Sequence, residues 1–171
     1  MHKRGAVLVV AFGVLGLALL LFGGLASAAG TQAGGAIHVF EVSNSPTNPI
    51  ATDVITGAIT DHGIDHEGAN GINTIALSKG SFKVDTTRIG GGAPAVAGKT
   101  CSFTASFRGP AKIVKNSGKG AYKGISGTFS VSITEAGILP RLKNGKCNES
   151  QNANPVAAVS FVKANGTVSF K

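Results

Sequence analysis

The chain has 171 residues, 43% of them hydrophobic and only 14% charged, with 25 glycines, no tryptophan and a formal net charge of +8. That length allows one domain with a core that needs no metal to hold it, and the basic balance directs attention to anionic partners. Nucleic acid is the least favoured of these, because aromatic residues suited to base stacking are not interleaved with the lysines.

Residues 1–28 read as an export signal. A basic tip (His2, Lys3, Arg4) precedes an apolar run from Gly5 to Leu25, and Ala26-Ser27-Ala28 supplies the small-residue pattern that a signal peptidase reads. Cleavage after Ala28 would start the mature chain at Ala29, in an extracellular or cell-envelope setting with no membrane contact after cleavage. The alternative is a retained anchor, since the run is about long enough to span a bilayer. Residues 29–35 form a glycine-rich flexible lead-in, and residues 36–171 form the folded domain.

From Ala36 onward, apolar and polar residues alternate in short runs, the mark of half-buried strands. His38, Phe40 and Val42 make the first set, which points His38 inward. Further sets follow at Val54–Thr56, Ile75–Leu77 and Phe82–Val84. The clearest are Phe103, Ala105 and Phe107, then Phe129, Val131 and Ile133. Val159 with Phe161 and Val168 with Phe170 close the series, and Asn165-Gly166 between them reads as a tight hairpin turn. Turn signals also fall at 45–49, 68–71, 90–94, Gly109-Pro110, 116–120 and Asn144-Gly145. Seven or eight strands with no helical period favour an antiparallel barrel or sandwich, and we take the closed barrel of about eight strands as the expectation.

Cys101 and Cys147 are the only cysteines. In an oxidising compartment they should pair. Charge is uneven: residues 29–98 hold six acids and three bases, a net of −3, whereas residues 99–171 hold eleven bases and two acids, a net of +9. The basic half could meet an anionic cell-envelope polymer or serve adhesion; a solvated surface is the plainer explanation. Lys112, Lys115, Lys119 and Lys123 fit a charge-protected sheet edge.

Gly118-Lys119-Gly120-Ala121-Tyr122-Lys123-Gly124-Ile125-Ser126-Gly127-Thr128 runs directly into an alternating strand. This turn-and-strand resembles the G-x-Y-x-G-x-x-G segment of exported bacterial proteins of the allene oxide cyclase barrel-like group, which are similar to plant dirigent proteins. The resemblance implies a closed barrel whose lumen holds a small hydrophobic ligand, and in the plant relatives that lumen guides cyclisation or coupling of lipid-derived or phenolic intermediates. No pocket residue of that family maps onto this chain, so the resemblance transfers no catalytic residue. Within the segment, Tyr122 reads as a large amphipathic plug.

Asp61-His62-Gly63-Ile64-Asp65-His66-Glu67 is the densest polar cluster, and Gly63 and Gly68 place it in a loop. Asp61, His62, Asp65, His66 and Glu67 are the candidate metal ligands or acid–base groups; their ordinary role is to satisfy the local backbone, and we expect no structural metal and no cofactor. No nucleophile elbow, catalytic cysteine, zinc-binding helix or phosphate loop is present. Asn148-Glu149-Ser150 and Asn165-Gly166-Thr167 match the glycosylation pattern. The sequence therefore points to a non-catalytic exported barrel, a binding or envelope-associated module with His38 and Tyr122 as lumenal contacts. A lumenal cyclase or isomerase and a surface adhesion protein are the alternatives.

Overall fold

The computed structural model describes residues 33–44, 50–150 and 153–171; the segment read as an export signal and most of the expected lead-in lie outside them. Eleven strands occur in these segments: β1 Gly35–Ser43, β2 Ile50–Gly57, β3 Asp61–His66, β4 Ile72–Leu77, β5 Gly80–Asp85, β6 Gly90–Gly91, β7 Ala95–Ala97, β8 Ser102–Ile113, β9 Lys119–Gly120, β10 Ile125–Ile138 and β11 Ala157–Phe170. Eight of them close an antiparallel barrel in the order β8-β10-β11-β1-β2-β3-β4-β5, with β5 returning to β8 through Val84↔Ile113 and Asp85↔Lys112. Closure leaves no open edge on the main sheet. The short β6, β7 and β9 pair outside this ring, on β8 and β5.

Alternation sets the two faces of each strand. On β8, Phe103, Ala105, Ala111 and Ile113 are buried, as are Phe129 and Val131 on β10. The best-sealed side chains, Ile37, Ile55, Ile59, Phe82, Ile113, Tyr122 and Ile125, belong to one continuous buried cluster. Tyr122 sits in the turn between β9 and β10 and is 1% exposed; its ring meets Phe82 edge-on at 5.6 Å. It closes one end of the barrel, the plug role read from the sequence.

Four sequence expectations are corrected. Asn165-Gly166 is not a hairpin: β11 runs unbroken through it, with Gly166 opposite Ile37 on one side and Phe129 on the other. A Cβ at Gly166 would collide with the Thr128 carbonyl, so the glycine serves close strand approach, not reversal. Gly109-Pro110 likewise lies inside β8. The 61–67 cluster is a strand over Asp61–His66, because a Cβ at Gly63 would meet the Ala76 carbonyl and its absence lets β3 seat against β4. On β1 the faces are reversed: Ile37, Val39 and Glu41 turn inward, while His38, Phe40 and Val42 face solvent, Phe40 being 50% exposed.

Candidate functional site

A cavity of about 750 Å³ occupies the barrel above the Tyr122 end, within the usual size range of small-molecule sites. Its deeper wall is apolar, with Val39, Ile55, Ile75, Phe82, Phe129 and Val131 contributing from five strands. Towards the other end the lining turns polar: Ser43, Asn73 and Ser160 join four carboxylates, Glu41, Asp65, Glu67 and Glu135. Among the described residues, no Lys, Arg or His lines the cavity.

Strand register explains why the acids gather. Glu41 on β1 stands opposite Asp53 on β2, and Asp53 stands opposite Gly63 on β3. Asp65 follows two residues after Gly63, on the same face and opposite Ala51. Glu135 on β10 pairs with Ser160 on β11, which pairs in turn with Ser43 on β1. Three consecutive strands and the distant β10 thus deliver their acids to one part of the lumen.

These carboxyls are poorly compensated. Asp53 is fully buried and neither of its oxygens has a hydrogen-bond partner; Asp65 Oδ1 also has none. Asp65 Oδ2 accepts one bond from Asn73 Nδ2 at 2.8 Å. Burial, followed by the charges of Asp65, Asp53 and Glu67, pushes Glu41 up to about 8. Burial and then Asp65 push Asp53 up to about 7. Burial takes Asp65 up to about 6, with Glu67 adding to the effect and the Asn73 hydrogen bond and His66 opposing it. Glu135 is raised by burial and by Glu67. Such a group of carboxyls can donate hydrogen bonds while protonated, and can hold a cation once ionised.

Asp61 has the opposite character. Burial opposes its ionisation, but hydrogen bonds from the Ser78 hydroxyl, the Tyr122 hydroxyl at 2.5 Å, the His62 N–H at 2.8 Å and the Lys79 N–H at 3.1 Å outweigh it. Its carboxyl is held well below the usual range. Tyr122 is raised in turn, by burial and then by its bond to Asp61. This pair is a structural lock at the plugged end and does not line the cavity.

The sequence-derived candidates are therefore scattered. His38 lies outside the barrel, its Nδ1 2.6 Å from Asn165 Oδ1. Tyr122 lies beneath Phe82, behind the cavity wall. Alternation along β3 divides the polar cluster: Asp61 and Asp65 face inward, while the His62 side chain is 78% exposed. Among the described residues, no three His, Cys, Asp or Glu side chains converge in a way that could hold a metal ion. Sequence reasoning missed Glu41, Asp53 and Glu135. Their available signal was an acid at an inward position of a strand: Glu135 continues the period of Phe129, Val131 and Ile133 on β10, whereas Glu41 becomes visible only once β1 is assigned the correct face.

Cys101 and Cys147 are bonded, with Cα atoms 5.3 Å apart. The bridge ties the start of β8 to the connection between β10 and β11. The backbone bonds from Leu139 N–H to Cys101 O and from Asn148 N–H to Pro140 O hold the same region. Comparison with known protein-family models, curated proteins and solved structures finds no match to this chain.

Proposed function

We propose that the protein is an exported, non-catalytic binding module whose barrel lumen takes a small, largely apolar molecule. The observation that carries this reading is the 750 Å³ cavity, lined by aliphatic and aromatic side chains over most of its depth and by polar groups towards one end. Export is supported by the signal pattern of residues 1–28 and by the Cys101–Cys147 bridge, which suits an oxidising compartment. The resemblance of the Gly118–Thr128 segment to barrel-like exported proteins agrees with a lumenal ligand.

The test is binding of an environment-sensitive naphthalene dye. Wild-type protein should enhance its fluorescence, and Ala164→Phe, which places a ring in the lumen between Val39 and Val131, should abolish the enhancement while the circular dichroism spectrum stays β. Equal enhancement by both folded proteins would place the dye elsewhere and defeat the reading. Intact-mass analysis of exported material should find Ala29 as the first residue; retention of residues 1–28 would make the protein membrane-anchored.

A further inference from the structure

Five of the chain's eight acids, Glu41, Asp53, Asp65, Glu67 and Glu135, lie on β1, β2, β3 and β10 or just after β3 and turn to the lumen or its rim, whereas Asp61 is locked at the plugged end. Among the described residues of this chain of net charge +8, the bases thus stay off the cavity wall and four carboxyls stand on it. Buried carboxylate oxygens without partners are costly and need an explanation. Asp65 is 5% exposed, lines the cavity and leaves Oδ1 without a partner; Asp53, beside it, leaves both oxygens without one.

We propose that the lumenal ligand is an amphipathic amine, its ammonium group held between Glu41 and Asp65 and its hydrocarbon or aromatic body packed against Phe82, Phe129 and Val131. This rests on the lumen-binding reading above and narrows it to a chemical class. An ammonium supplies the N–H donors that Asp65 Oδ1 lacks and offsets the repulsion between neighbouring acids. A fatty acid would add one more carboxylate to a wall without bases. A divalent ion would need several oxygens held at once, and the described acids do not converge in that way.

Binding should also be proton-linked. The groups lining the cavity around the head are Glu41 from β1, Asp65 from β3 with Glu67 after it, Asn73 from β4 and Glu135 from β10; Asp53 on β2 and His66 on β3 act on them through charge without lining the cavity. β11 offers Ser160, and the lining from β5 and β8 is apolar. Burial, reinforced by repulsion between the acids, keeps the empty cluster partly protonated at neutral pH, so an ammonium must displace protons as it enters. Its affinity should rise from pH 5 to pH 8.

Calorimetric titration of the folded protein with decylamine, decanol and decanoate separates the possibilities, with displacement of the naphthalene dye as a second readout. At pH 8 decylamine should bind roughly tenfold or more tightly than decanol, the scale of one charge-assisted hydrogen bond, and decanoate should bind most weakly. Glu41→Gln/Asp65→Asn should bring decylamine down to the affinity of decanol; if the double variant fails to fold, Glu41→Gln alone should narrow the gap. Three equal affinities, an amine preference that survives in the folded variant, or a dye that decylamine cannot displace would overturn the amine assignment and leave the lumen-binding reading standing. Failure of the dye and all three ligands to bind would overturn both.

Discussion

Replacing Asp53 by Asn should stabilise the empty protein at pH 8 and leave it nearly unchanged at pH 4. Asp53 is fully buried, neither oxygen is hydrogen-bonded, and burial followed by Asp65 lifts its pKa to about 7 from an ordinary 3.8. Because the folded value lies above the unfolded one, the fold favours the protonated carboxyl. Its contribution is complete below about pH 4 and is lost as pH rises towards 7. Going from 3.8 to about 7 corresponds to a ceiling of about 4 kcal/mol, which solvent screening beside the cavity reduces to roughly 2 kcal/mol. The amide keeps the shape without the charge, and its NH₂ can donate to the facing acids. Thermal melts of wild type and Asp53→Asn at pH 4 and pH 8 test this: the variant should melt about 6 °C higher at pH 8, at about 3 °C per kcal/mol for a domain of this size, and within about 2 °C at pH 4. A variant less stable than wild type at pH 8, or an equal difference at both pH values, would refute an uncompensated lumenal charge.

Three further outcomes follow from the packing. Tyr122→Phe removes the hydroxyl that donates to Asp61 and should cost about 2 kcal/mol in urea denaturation; an unchanged midpoint would deny the lock at the plugged end. Cys101→Ser/Cys147→Ser opens a loop with a sequence separation of 46 and should lower stability by about 4 kcal/mol on the chain-entropy account, while native wild type should show no labelled thiol. Gly166→Ala should lose at least about 2 kcal/mol by equilibrium unfolding, because the new methyl meets the Thr128 carbonyl; a neutral result would fit a turn rather than the observed strand.

The barrel was legible because its longest strands alternate cleanly: Phe103, Ala105 and Phe107 on β8, and Phe129, Val131 and Ile133 on β10, each declare one inward face. On β1 and β3 the same rule is ambiguous. Gly35–Ser43 carries apolar residues on both faces, and its inward set includes Glu41, whereas Phe40 and Val42 stand in solvent. On β3 the buried residues are Asp61 and Asp65, and Ile64 faces outward. A lumen that is partly acidic inverts the polarity pattern, so hydrophobicity alone selects the wrong side. The acid cluster was out of reach for a second reason: Glu41, Asp53 and Asp65 meet only through the register of β1, β2 and β3, and Glu135 joins them only through the distant pairing of β10 with β11 and β11 with β1. Gly166 and Gly63 misled because glycine marks both turns and crowded strand crossings.

The separation of charge between the two sides of the barrel wall gives the molecule a field that changes sign along the path of entry. At long range an incoming cation meets the repulsion of the basic exterior, which extends about 8 Å at physiological salt; only past the rim does it meet the carboxylates. Added salt should therefore speed its arrival while leaving its departure from the enclosed lumen almost unchanged, the reverse of ordinary electrostatic steering. Such a protein would load faster in a saline medium, or when its outer lysines rest on an anionic polymer that neutralises them.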